Sequence, residues 1–445
     1  MTWKMESISD LCIFAIDCVN KTAPVVDYET PYKMIRTTNV KGGFIDLDTV
    51  RYVEEETFIK WTRRSKPQYG DVIFTREAPV GDVGRFTSKD PNVFLGQRLF
   101  HYRPNSELLD WRYLAYVLQS EAIQGWVHGI AFGATVPHIK VADAENLQIP
   151  CPPISIQRKI GTVLSAYDDL IENNLERIKL LEEMAQITYE QWFVRMKFPG
   201  HEEVEIDSET GLPDDWEEQD LSKYISIKHG FAYKGEFFSE GETNQVLLTP
   251  GNFKIGGGIK LDKVKYYDED AESPEGYVLN QHDLLVTMTD LSKMADTLGF
   301  PLLVPSSKTK IFLHNQRLGK VLPVGDSNFP KYFYYMLFQD ERYRAFVVGS
   351  ATGATVKHSS PSKILAYKPQ LPPLDGELIF KFNDVTKPIF ETIDLLMKES
   401  ELLREARDIL LPRLMTGMID IEKVELPEAL LDRINKENNN EINIG

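Results

Sequence analysis

GIAFGATVPHIK (residues 129–140) and GSATGATVKHSS (residues 349–360) carry the same word, GATV, 220 residues apart, and each is followed by a histidine, His138 or His358. One glycine turn written in each half of a chain points to a duplicated domain, and the flanking sequence repeats with it. IPCPPI (149–154) matches PQLPPL (369–374) at the same offset. The QRL of FLGQRL (94–99) meets that of FLHNQRL (312–318) at 219, GDVIFTRE (70–77) meets HDLLVTMT (282–289) at 212, and MIRTTNVKGG (34–43) meets LLTPGNFKIG (247–256) at 213. The order of blocks is preserved. The offset grows by seven from the GDVIFTRE pair to the QRL pair, which places a longer loop of the second copy within residues 290–307.

Each copy has one internal grammar. About 140 residues of short β-branched and aromatic runs, broken by Gly, Pro, Asn and Asp, read as strands and turns, with WRYLAYVLQSEAIQGW (111–126) as one helix and GGG (256–258) as a hairpin turn. A proline stop then precedes a segment with helical periodicity, about 155–192 in the first copy, with Ser155 as its N-cap, and about 375–410 in the second. The first carries a heptad seam of Ile160, Leu164, Tyr167, Ile171, Asn174, Ile178, Leu181, Ala185, Thr188 and Trp192; the second a weaker one of Val385, Ile389, Thr392, Leu396, Glu399, Leu403, Ala406 and Leu410. Pro388 should kink or restart the second helix. The expected fold is α+β: two tandem globular domains, each followed by a long helix, the two helices pairing as an antiparallel coiled coil. A 36-residue helix is about 54 Å long, enough to act as a ruler. The expected divisions are a first domain (1–150), a central helical region (151–200), an acidic linker (201–220), a second domain (221–370), a second helical region (371–421) and a polar tail (422–445).

The net charge of −17 is unevenly placed: residues 201–220 hold ten acidic residues and no basic one, and residues 371–445 hold 16 acidic against nine basic. The two domains are close to neutral, so the acidic total does not exclude a nucleic-acid partner. The N-terminal MTWKMESISD lacks the apolar stretch of a signal peptide, and YFYYMLF (332–338) is far too short to span a bilayer, so a cytoplasmic protein is expected. Cys12, Cys18 and Cys151 read as free thiols, since none stands at zinc-ligand spacing.

No phosphate loop, GxGxxG, HExxH, GxSxG or amino-methyltransferase Asn/Asp-Pro-Pro-aromatic stretch is present, and no catalytic or metal role is assigned. Binding chemistry is better represented. Gln97 and Arg98 stand at the same repeat position as Gln316 and Arg317, and Thr135 and His138 at that of Thr355 and His358. Basic residues flank them: Arg36, Lys41, Arg63, Arg64, Lys66, Arg76, Arg85 and Lys140 in the first copy, and Lys254, Lys260, Lys293, Lys308, Lys310 and Lys357 in the second. Arg, Lys and Gln are the side chains that read guanine and adenine edges, and Thr and Lys commonly hold phosphates, so these are candidate DNA contacts. GATV and QRL have a second reading, as scaffold common to two domains whose readers differ.

IPCPPISIQRKIGTVLSAYDDLIENNLERIKLLEEMAQITYEQWFVRMKF (149–198), GLPDDW (211–216), GFAYKGEFF (230–238) and LLPRLMTGMIDI (410–421) together resemble the specificity subunits of Type I restriction-modification systems. The resemblance covers essentially the whole chain. The start of the second helix, LPPLDGELIF, departs from it by lacking the usual Gln after its acidic residue, and Pro388 is also unexpected. The resemblance implies that each domain recognises one half of a split, asymmetric double-stranded DNA target, with the helices fixing the unread spacer. It implies no catalysis in this chain: two N6-adenine methyltransferase subunits using S-adenosylmethionine, and two translocase/nuclease subunits using ATP and magnesium, would supply the chemistry. Subunit contacts are expected on the helical segments, at Tyr167, Ile171, Asn174, Ile178, Leu181, Trp192, Phe193, Leu396, Leu403, Leu410, Leu411, Arg413 and Leu414. The residues alone also leave open a non-catalytic protein–protein scaffold with helical oligomerisation, and a fused enzyme with its own nuclease, for which neither a motif nor a spare domain exists.

Overall fold

The computed structural model describes residues 3–133, 136–271, 273–292, 294–325 and 328–442. The chain forms two compact units, one of Met1–Glu172 with Glu401–Gly445 and the other of Asn173–Ser400.

The first unit is organised on a four-stranded antiparallel sheet of β1 (Cys12–Asp17), β2 (Asp71–Arg76), β3 (Val80–Phe86) and β4 (Leu99–Pro104), in the spatial order β1-β4-β2-β3. In the second unit β5 (Ile225–His229), β6 (Leu284–Thr287), β7 (Pro301–Leu303) and β8 (Leu318–Pro323) repeat the order, β5-β8-β6-β7. Each unit adds a parallel pair, Lys33–Ile35 with Val93–Leu95 and Gln245–Leu248 with Ile311–His314. The duplication read from sequence is therefore a duplication of strand topology.

The 111–126 segment is two helices, Trp111–Gln119 and Glu121–Ile130, where one was expected. Ser120 stands between them in extended backbone, with its hydroxyl donating to the Val117 carbonyl at 2.6 Å, so a helix-competing side chain ends the first helix. The second copy breaks at the same place, Lys331–Leu337 and Glu341–Gly349, with Asp340 accepting from the Arg342 amide. The glycines 256–258 all take positive φ between a bridge of Phe253 and Ile259, the turn expected of them.

The long helices are Ile154–Tyr189 and Glu377–Met415. The first begins one residue before the expected cap; the Pro153 carbonyl, rather than Ser155, receives the amides of Ile156 and Gln157. Gln157 is wholly buried, its side-chain amide donating to the carbonyls of Leu108 and Pro152 and accepting from the Asp110 amide. Its repeat position in the second copy is Glu377, which points outward beside Lys381. A cavity of about 370 Å³ near that helix start is lined by Tyr224, Phe329, Tyr334, Leu374 and Phe380. The second helix does not stop at Pro388: the carbonyl it leaves without an N–H is that of Asp384, and both residues are on the solvent face where water can serve it.

Within each unit the helices run antiparallel and seam to seam. In the second, Trp192 and Phe193 meet Phe382 at ring separations of 5.5 and 5.1 Å, while Asn174 donates to Glu399 at 3.1 Å. In the first, Ile156, Ile160 and Leu164 share a core with Leu414, Met415 and Ile421. The seam of the first helix falls where its periodicity places it. That of the second is corrected by one residue at alternate positions: Val385 is exposed and Thr392 half-buried, whereas Thr386, Ile393 and Ser400 are buried between Phe382, Ile389 and Leu396.

Candidate nucleic-acid interface

Three chain segments meet beside the ends of the central strands in each unit, and backbone hydrogen bonds fix them in the same pattern. In the first, the Arg76 amide donates to the Arg98 carbonyl at 2.9 Å, the Ile139 amide to the Arg76 carbonyl at 3.1 Å, and Phe132 and His138 exchange two bonds of 3.0 Å. In the second, Met288 donates to Arg317 at 3.0 Å, Ser359 to Met288 at 2.9 Å, and Thr352 and His358 exchange bonds of 2.9 and 2.8 Å. These are the offsets of 212, 219 and 220 residues found in the sequence. A further shared bond pair lies in the 213-offset block: the Asn39 side chain accepts from the Arg36 amide and that of Asn252 from the Thr249 amide, both at 2.9 Å.

GATV belongs to this frame. Gly133 and Gly353 have φ of 111° and 99°, and a Cβ there would stand 2.6 or 2.0 Å from the carbonyl oxygen of Val136 or Val356. Only glycine closes this turn. Thr135 and Lys293 lie outside the described residues; Thr355 is exposed.

The candidates brought together in the first unit are Gln97, Arg98, His138 and Lys140. Arg98 pairs with Glu77 at 3.3 Å, Gln97 accepts from Thr22 at 3.2 Å, and the exposed Phe132 packs on His138 at 4.0 Å with the Lys140 ammonium 5.6 Å from its ring. Their counterparts Gln316, Arg317 and His358 are exposed and Lys357 is half-buried; His358 Nδ1 meets the Thr289 hydroxyl at 3.1 Å.

Other basic candidates have different positions. Lys41, Arg63, Arg64, Lys66, Lys260 and Lys308 are on the surface, with Arg64 reaching the Asp17 and Cys18 carbonyls and Lys66 lying 5.1 Å from the Phe58 ring. Lys254 is 4.0 Å from Glu182, and Lys310 pairs with Glu242 at 2.9 Å. Arg36 donates to the Thr49 carbonyl, and Arg76 is held by Asp17 and the Ile139 carbonyl. Arg85 is corrected outright: it is 5% exposed and bonded to Asp168, Tyr116 and the Gly43 carbonyl, where no phosphate can reach it.

The expected subunit contacts are largely consumed inside the chain. Ile171, Asn174, Ile178, Trp192, Phe193, Leu396 and Leu414 are buried, Tyr167, Leu181, Leu403, Leu410 and Leu411 are half-buried, and Arg413 alone of the set is exposed. A heptad search finds the seam between the chain's own helices, because that is where apolar residues are most regular. The apolar side chains left outside are Leu170, Leu175, Leu180, Met184 and Ile187 on the first helix and Val385, Leu395, Leu402 and Ile409 on the second.

Buried charge in the first unit also includes Asp71, which accepts from His101 at 2.6 Å and from both Nε and Nη2 of Arg103 at 2.8 and 2.7 Å, while Ser65 meets the other His101 nitrogen at 2.9 Å. Burial pushes the Asp71 carboxyl up, but the bonds from Arg103 and His101 outweigh it and hold it below the usual range. A Ser–His–Asp set whose carboxylate is spent on a bidentate arginine is a structural lock. The second copy replaces it with Asp283 and Lys320 at 2.6 Å.

Among the described residues no helix is long and apolar enough to cross a membrane. Residues 2–183 match the family described as Type I restriction modification DNA specificity domain. The type I restriction enzyme MjaIX specificity subunit of Methanocaldococcus jannaschii is 26% identical over 383 residues, covering 84% of this chain and 83% of the relative. The putative MjaX specificity subunit of the same organism is 24% identical over 429 residues, covering 94% of each. The crystal structure of the S subunit from M. genitalium has a TM-score of 0.50 at 18% identity, over 93% of this chain and 96% of that one, and shares the fold. The family match spans the first copy, and the repeated hydrogen-bond frame ties the second to it. The chain is therefore similar to type I restriction enzyme specificity subunits, in its first copy by the family match and along most of its length by these relatives.

Proposed function

We propose that this chain reads a two-part, asymmetric DNA sequence, one half-site per domain, and positions partner enzymes that act on it. The observation that carries this is the repeated three-segment frame: its backbone bonds are the same in both copies, while the side chains it presents differ, Glu77 against Thr289, Phe132 against Thr352 and Lys140 against Ser360. One scaffold with two sets of side chains suits two different half-sites, whereas two identical subunits would require a palindrome.

The long helices set the unread spacer. The chain itself carries no catalysis; two N6-adenine methyltransferase subunits bring S-adenosylmethionine, and two translocase/nuclease subunits bring ATP and magnesium, all in the cytoplasm. Leu175, Leu180, Met184 and Ile187 are apolar side chains free for methyltransferase contact. Near-neutral domains on an acidic chain bind DNA weakly alone, so the assembled complex provides part of the positive charge.

Mapping methylated adenines in the source genome with and without this gene tests the reading. Loss of one two-part motif with a fixed gap is the expected result; an unchanged methylome would instead favour a protein-binding scaffold. DNA affinity of the assembled complex should also fall steeply with salt.

A further inference from the structure

The two copies of the QR pair occupy the same place on the same frame but are used differently. In the first unit Arg98 is neutralised by Glu77 at 3.3 Å and Gln97 is engaged by Thr22. In the second, the position of Glu77 is held by Thr289, whose hydroxyl is taken by His358 Nδ1 at 3.1 Å. Among the described residues neither the Gln316 side-chain carboxamide nor the Arg317 guanidinium has a hydrogen-bond or ion-pair partner, and both residues are exposed.

Their backbone is nonetheless fixed. The Gln316 amide donates to the Phe231 carbonyl at 2.9 Å, the Arg317 amide to the Asn315 side chain at 3.0 Å, and the Arg317 carbonyl accepts from Met288. Lys357, in register beside Asp290, and the exposed Thr355 stand on the adjoining segment. A rigid main chain with two unoccupied heads loses little freedom on binding. Those heads are the two that fit adjacent purine edges in a major groove: guanidinium to guanine O6 and N7, carboxamide to adenine N6 and N7.

We propose that Gln316 and Arg317 are base-reading residues of the second domain, Arg317 selecting a guanine and Gln316 a neighbouring adenine, while Glu77 withholds Arg98 from that role in the first domain. This rests on the DNA-reading function above. It goes further in assigning the discrimination of one half-site to two side chains and in making the first domain's equivalent pair silent.

The test is binding of the reconstituted complex of full-length chain and methyltransferase to duplexes in which each base pair of both half-sites is varied in turn. Arg317→Ala and Arg317→Lys should each reduce discrimination at one guanine of one half-site by roughly 5- to 150-fold. Gln316→Ala should do the same at an adjacent adenine, with the other half-site read as before. The intact half-site shows that the complex is assembled. Glu77→Thr should add a guanine preference to the first half-site.

A different pattern overturns the proposal: Arg317→Ala weakening every duplex equally and lowering the salt slope by about one marks a phosphate contact, and unaltered discrimination removes Arg317 from reading altogether. Failure of the underlying function looks different again, since the wild-type complex would then show no base preference at any position, and the proposal would fall with it.

Discussion

Asp168 of the first long helix and Arg407 of the second are joined at 2.6 Å, with the carboxylate wholly buried and its other oxygen taken by Arg85 at 2.8 Å and by the Tyr116 hydroxyl. One carboxylate therefore ties the first sheet, its covering helix and both long helices within a single unit. Asp168→Asn leaves Arg85 uncompensated in the interior and should cost about 3–5 kcal/mol, read as a lower denaturant midpoint of the first unit's transition. Replacing Arg85 and Asp168 together by Met and Leu should cost less than Asp168→Asn alone; an equal or greater loss would contradict the account.

Phe382 touches Tyr189, Trp192 and Phe193 in the second unit. Phe382→Ala should destabilise that unit by about 3–5 kcal/mol through lost burial and the cavity left behind. Calorimetry should show the loss in the transition of the second unit, and Val385→Ala, on the exposed face of the same helix, should move it by less than about 0.5 kcal/mol.

His314 is fully buried, with Nε2 donating to the Leu318 carbonyl at 3.0 Å, and burial drives its pKa from 6.5 down to about 4. Lys320 and Lys228 reinforce the depression and Asp283 opposes it. Between those values the unfolded chain binds the proton and the folded one does not, so the contribution is whole above about 6.5 and is lost as pH falls toward about 4. At full extent this is about 3 kcal/mol. His314→Gln should flatten the stability profile between pH 7 and pH 5; an unchanged slope would refute it.

Gln157 and Glu377 occupy the same repeat position with opposite fates, one bonded in the interior and the other solvated. Gln157→Ala should cost about 1–3 kcal/mol, because the Asp110 amide loses its acceptor in a buried site. Glu377→Gln should be close to neutral in the same urea titration.

The duplication was legible because repeated local geometry demands repeated residues: Asn39 and Asn252 accept the same backbone amide by their side chains, and Gly133 and Gly353 close the same turn, each pair at the offset of its block. The long helices were legible because their apolar period outlasts any competing pattern. The second seam slipped because Thr386 and Ser400 hold interior positions by bonding back to carbonyls four residues earlier, while apolar Val385 faces solvent. Arg85 read as a surface cation because its counter-charge, Asp168, is distant in sequence and no local spacing announces the pair. The helix break at Ser120 was hidden for a related reason: the residues on both sides are good helix formers, and a single extended residue decides the matter.

The second unit is a contiguous run, residues 173–400, whereas the first needs residues 401–445 to join residues 1–172. During synthesis this difference becomes one of time. The second unit has all its parts while the tail is still being made; Ile160, Leu164 and the Arg85–Asp168 pair must wait, unsealed, until Arg407, Leu414 and Met415 emerge more than 200 residues later. A nascent chain stalled in that interval carries one finished unit and one open core, and quality-control machinery that recognises exposed aliphatic surface would meet the older half of the molecule, not the newer.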